Sequence, residues 1–235
     1  MKQGRRMSAE ERRQAIIDVA KPLFAEKGFN GTSVRLIAER AQVSEALLYK
    51  HFPSKKDMYK EILTYSQRLT DLTIKDIEGM EPSVETLVFL VYMLFQVVLN
   101  DIPGEEGHQK SHERLLFYSL LEDVDYASMV FKKMHERFHP VLLANYNAAV
   151  KSGDLPGNRA HPENLFWFAH HLAMALNLCH LSNNPAFPYE TSREELADEA
   201  VRFALRGIGL SDEIIASSFK PKKMDLYLKD MLFGL

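Results

Sequence analysis

The sequence predicts an all-α protein with a three-helix N-terminal head and a larger body of six or seven helices. Three observations carry this. Apolar residues recur at helical spacing almost throughout, and no run alternates with the period of a strand. Cap residues and Gly/Pro breaks then divide the chain into pieces of helix length.

The first helix spans about 9–27, with Ile16, Val19, Ala20, Leu23 and Phe24 on one face and Gly28 where a left-handed cap is easiest. Short helices follow over about 33–41 and 44–51. Ser54-Lys55-Lys56-Asp57 resembles a capping box and opens a helix to about 78. The pattern breaks at Gly79 to Pro82 and resumes over 84–100, where Leu87 to Leu99 is apolar but for Gln96. That run is too short to cross a bilayer and reads as a buried helix. Further helices fall at 111–122 and 126–151, and a first-turn Pro162 opens another to 182. Ser192-Arg193-Glu194-Glu195 is a second capping box, opening a helix to Arg206. Ser211 caps one more short helix, and 224–233 is a weakly amphipathic tail whose role the sequence leaves open.

Charge is divided along the chain. The net charge is −3, yet residues 1–60 hold 13 Lys+Arg against 7 Asp+Glu, and the remainder 16 against 25. A basic N-terminal unit on an acidic body suggests a polyanion-binding head. Cys179 is the single cysteine, which excludes an intrachain disulfide and fits a reducing cytosol. With no apolar leader segment either, a cytoplasmic protein without membrane association is expected.

The informative stretch is Thr32 to Phe52, two short helices joined by a tight turn. Leu36 (or Val34), Ile37 and Ala41 face the first helix, Val43 plugs the turn, and Leu48 and Phe52 anchor the second helix. Ser44, Glu45, Leu47, Lys50 and His51 are left nearer the outside. This is helix-turn-helix patterning, whose second helix enters the major groove. A buried helix pair without any DNA role shows the same periodicity.

From about residue 12 to 63 the chain resembles the N-terminal domain of the TetR family. The matching residues are Leu23-Phe24-Ala25-Glu26-Lys27-Gly28-Phe29, Thr32-Ser33-Val34-Arg35-Leu36-Ile37-Ala38, Val43-Ser44, Leu48-Tyr49, His51-Phe52, Ser54-Lys55-Lys56 and Met58-Tyr59. One departure is Gln42, where the family usually has glycine at a turn position favouring positive φ. The resemblance implies a DNA-binding head over 1–56 and a ligand-binding and dimerisation body over 57–235. It implies a homodimer joined by the helices at about 162–182 and 192–206, a pseudo-palindromic double-stranded DNA operator, and no enzymatic activity.

Roles follow from chemistry and family position together. Thr32 or Ser33 donates a hydroxyl hydrogen bond to phosphate, Tyr49 and His51 resemble the family's backbone-contacting pair, and Lys55 meets a phosphate at the start of the fourth helix. Base reading falls to Arg35, which can fork to guanine, and to Glu45, Leu47 and Lys50 in the groove. Glu45 accepts from cytosine or discourages wrong sites. Lys2, Arg5 and Arg6 form a basic arm that tracks the minor groove or touches nothing.

In the body, Tyr92, Phe95, Phe117, Leu121, Met134, Phe138, Trp167, His170 and Met174 are the expected lining of an apolar pocket for a small-molecule effector. Each also suits ordinary core packing. His135-Glu136-Arg137-Phe138-His139 carries the letters of the zinc-peptidase motif, but no third ligand follows at a recognisable spacing. The segment is read as a solvated helical face, so neither cofactor nor metal is expected. The function implied is a repressor released from its operator by a small, mainly apolar ligand. The alternative is a DNA binder controlled by a protein partner, or one that organises DNA.

Overall fold

Ser8 opens the first helix with the full reciprocal box. Its hydroxyl accepts from the Glu11 N–H, and the Glu11 carboxylate accepts from the Ser8 N–H at 2.7 Å. The computed structural model describes residues 7–65, 77–100, 108–122, 124–157, 161–180, 187 and 189–233, and among them regular structure is helical only. The helices are α1 (Ala9–Gly31), α2 (Val34–Arg40), α3 (Glu45–His51), α4 (Lys55–Tyr65), α5 (Val84–Leu99) and α6 (His108–Glu122). After these come α7 (Asp125–Ser152), α8 (Glu163–His180), α9 (Arg193–Ile208), α10 (Asp212–Ser218) and α11 (Pro221–Phe233). The all-helical expectation is met. The basic arm at Lys2, Arg5 and Arg6, and residues 66–76 of the predicted fourth helix, lie outside the described residues.

The chain divides into two compact units, residues 1–69 with 103–131, and 70–102 with 132–235. The expected boundary at 56/57 therefore differs from the division by packing. The N-terminal unit draws in α4 and also α6, which lies far beyond it in sequence and packs along α1.

Within this unit the core is built from Ile16, Ile17, Ala20, Leu23 and Phe24 of α1 against Ile37, Leu48, Phe52, Met58 and Ile62, all buried. Phe24, Phe29 and Tyr59 pack ring to ring, with Tyr59 5.0 Å from Phe24 and 5.1 Å from Phe29. The helical run of α1 breaks at Gly28, whose φ of 70° and ψ of 178° lie outside the helical region and suit only glycine. A Cβ there would stand 2.9 Å from the Glu122 Oε1 and 3.2 Å from the Tyr118 ring.

The second unit surrounds α5, which is apolar almost all round because it is buried almost all round. Val84, Leu87 to Met93, Phe95 and Leu99 are inaccessible and meet Ala169, Ala173 and Leu176 of α8 and Ala197, Val201, Leu205 and Ile208 of α9. Ser83, Ser192 and Ser211 cap α5, α9 and α10 as N-terminal acceptors. The tail is longer and more engaged than its weak amphipathicity suggests. Pro221 starts α11 three residues earlier than the pattern indicates, and Met224 and Leu228 are buried. Tyr227 packs edge-on against Phe89 at 5.1 Å, and Phe219 lies between Tyr92 and the Arg202 guanidinium. Among the described residues no helix is long and apolar enough to cross a membrane.

Two predictions follow from this packing. Gly28→Ala should lower stability by about 1–2 kcal/mol through the left-handed backbone alone, read as a reduced urea midpoint. An unchanged midpoint would mean the turn tolerates a side chain. His170 is buried, and burial, aided by the neighbouring His171, lowers its pKa to about 4. The unfolded chain then binds more protons than the folded one. The stabilisation is complete above about pH 6.5 and is lost at about 1.4 kcal/mol per pH unit as the pH falls towards the folded-state value. Urea titrations across that range should show a shallower pH slope for His170→Gln than for the native chain; equal slopes would remove His170 as the cause.

Candidate nucleic-acid interface

Two consecutive serine caps start the helix-turn-helix. Ser33 accepts from the Leu36 N–H and Ser44 from the Leu47 N–H, both at 3.1 Å. Between them Gln42 has φ 55°, the positive value expected of a turn position where glycine is easier. Leu48 and Phe52 are buried as the sequence pattern requires, and Leu36, Ala41 and Val43 are half-buried.

Burial of one edge of α3 exposes the other. Glu45, Ala46, Tyr49 and Lys50 form its outer face, with Tyr49 48% exposed. Ser33 and Arg35 of α2 and the capping Ser44 are exposed as well, while Leu47 and His51 are half-buried at the edges. Ala46 belongs to the outer face although polarity gave no reason to choose it, since a small apolar side chain carries no charge signal.

Two sequence-based assignments are corrected by the structure. Thr32 is wholly inaccessible at 0% exposure. Its hydroxyl lies 2.8 Å from the Gly28 carbonyl and 3.1 Å from that of Leu23, so its proton is held inside and does not reach a phosphate. Ser33 is the cap residue that faces outward. Lys55 likewise turns inward: its ammonium donates to the Phe29 carbonyl at 2.8 Å and the Thr32 carbonyl at 3.1 Å, and sits 4.1 Å from the Phe29 ring centre. Partial burial lowers the Lys55 pKa, and the Glu122 carboxylate opposes that shift. The reason in both cases is the same. Carbonyls at the end of α1 lack intrahelical partners and recruit the nearest donors.

Other side chains complete this arrangement. From α6, Arg114 Nε donates to the Ala25 carbonyl at 2.8 Å and the Tyr118 hydroxyl to that of Glu26 at 3.2 Å, while Glu122 accepts from the Asn30 amide at 3.1 Å. Arg13 was missed by sequence reasoning. It donates to the His51 carbonyl at 3.0 Å, pairs with Glu61 and lies 4.3 Å from the Phe52 ring centre, tying α3 to α1 and α4. Its only local signal is one arginine among four in the first thirteen residues.

The expected pocket lining does not converge so simply. Phe117 and the 84%-exposed Leu121 lie on α6 in the N-terminal unit. Tyr92 and Phe95 are core residues of the other unit, with Phe138 packed against that core, and His170 and Met174 are buried. Met134 and Trp167 are half-buried. A separate cleft of about 260 Å³ is lined by Pro82 to Glu85, Ala148, Ser152, Asp154, Ile214, Ser217 and Ser218, none of them expected lining residues. Among the described residues no three His, Cys, Asp or Glu side chains converge as metal ligands.

A half-buried, capped helix pair with one outward face defines a helix-turn-helix domain. The sequence profile of bacterial regulatory proteins of the tetR family matches residues 16–62. The transcriptional regulator HbdR of Aromatoleum sp. (strain CIB) is 38% identical over 94 residues, which are 38% of this chain and 39% of that protein. SrpR of Pseudomonas putida is 29% identical over 150 residues, 64% of this chain and 66% of that one. The matched stretches thus span less than two thirds of either relative. In fold, the chain is similar to AibR, solved with isovaleryl coenzyme A and operator DNA, at a TM-score of 0.61 and 18% identity over 82% of this chain and 97% of that one. Residues 16–62 thus match the TetR family of bacterial regulatory proteins, and over the rest of the chain the likeness is one of fold.

Thr32→Val separates an internal role from a DNA-facing one. It should cost about 1–3 kcal/mol, since it leaves buried carbonyls without their donor. Chemical denaturation gives the answer directly, and a variant as stable as the native protein would return Thr32 to the list of phosphate contacts.

Proposed function

We propose that this chain is a transcriptional regulator that binds a pseudo-palindromic operator as a homodimer and is released by a small, mainly apolar ligand. The observation that carries the reading is the outer face of α3, where Tyr49 and Lys50 stand exposed beside Arg35 and Ser33 on a scaffold anchored from behind. Arg35 reads guanine, Lys50 and Glu45 read groove edges, and Ser33, Ser44, Tyr49 and His51 set the register on the backbone. Lys55 acts indirectly, by holding the end of α1 at the start of α2.

Exposed Phe168 and Leu178 on α8 and the 68%-exposed Phe203 on α9 support an interface between two copies along these helices. Control by a ligand is supported by the fold shared with AibR, whose structure holds an acyl coenzyme A together with DNA. A ligand that displaces α6 would pull on the Arg114 and Tyr118 hydrogen bonds to α1. It acts only to the extent that its affinity differs between the two states. The absence of a transmembrane helix among the described residues is consistent with a cytoplasmic regulator.

Mobility-shift titrations against duplexes selected from a random pool test this reading. Tyr49→Ala should weaken binding to every sequence, whereas Arg35→Ala should cost about 1–3 kcal/mol at one base position and relax the choice there. Operator affinity unchanged in both variants would overturn the assignment of this face.

A further inference from the structure

His135 and His139 lie one turn apart on the same face of α7, and their ring centres are 4.6 Å apart with planes inclined at 36°. Two imidazoles bound to one ion through nitrogens at about 2 Å put their ring centres roughly 5 Å apart, and the ring-centre spacing of this pair is compatible with that. Among the described residues neither ring takes part in a hydrogen bond or an ion pair through its nitrogens. His135 is exposed and His139 half-exposed, which gives an ion a path in. Glu163, at the start of α8, meets His161 at 3.3 Å. Lys132, 3.9 Å from the intervening Glu136, is already paired with that carboxylate.

We propose that His135 and His139 form a two-histidine chelate for a single first-row divalent transition-metal ion, with water in its remaining positions. Paired imidazoles favour such ions over hard cations, and affinity should follow the order nickel below copper. With two protein ligands the site is a binding site open to exchange, and Glu136 is assigned no role as a base.

The chain carries its own reporter. Trp167 is the only tryptophan, and its ring stacks on His135 at 6.3 Å and on His171 at 5.9 Å. Copper(II) or nickel(II) chloride is titrated into tag-free, full-length protein at about pH 7.5, and indole fluorescence is followed. Saturable quenching at one ion per chain, reversed by EDTA, is expected. His135→Gln, at an exposed position, and His139→Gln should each lose roughly tenfold or more in apparent affinity. His171→Gln, beside the same indole but outside the chelate, should titrate like the native protein. Absence of saturable quenching, equal titration of the native and His135→Gln proteins, or loss in His171→Gln alone would each overturn the proposal.

Discussion

The carbonyl groups at the end of α1 are the constraint on which the head depends. A helix leaves its last four carbonyls without N–H partners. Here the helix breaks at the buried Gly28, and side chains from several helices supply the missing donors. Arg114 and Tyr118 satisfy Ala25 and Glu26, Thr32 satisfies Gly28, and Lys55 satisfies Phe29 and Thr32 itself. Because α2 begins two residues after Thr32, the donors that close α1 also set where the helix-turn-helix starts. Donors arriving from α4 and α6 make that position depend on segments remote in sequence.

The polar residues of the head fall into two populations of similar chemistry. Arg13, Thr32 and Lys55 face inward and bind carbonyls, whereas Arg35, Ser44, Tyr49 and Lys50 face outward. The inward set is held by internal hydrogen bonds of the charged or buried kind, which are costly to break. The outward set keeps its donors available. Rigidity behind the surface is what allows a helix of only seven residues to present four side chains as one face.

The larger unit follows a different logic. Its central helix α5 shows little preference for one face, because α8 and α9 and the tail segments α10 and α11 surround it. The residues that suggest a pocket in the sequence are spread over different surroundings: Tyr92 meets Phe219, Trp167 stacks with histidines, and Leu121 is at the surface. Apolar composition is the same for a wall of a cavity and for a filled core, so residue type alone does not distinguish them.

By itself, the sequence determined the features written in local terms. These are the helical class, from periodicity; the helix starts at Ser33, Ser44, Ser192 and Ser211, from capping chemistry; and the buried Leu48 and Phe52. Each is fixed within about one helical turn, where spacing is equivalent to geometry. Only the tertiary structure decided that α6 belongs with the head, that Thr32 and Lys55 turn inward while Ser33 turns outward, that Arg13 ties three helices together, and that the tail folds against α5. Those outcomes rest on which donor lies nearest to an unsatisfied carbonyl and which apolar face remains uncovered. Both are settled between residues that the linear order keeps apart.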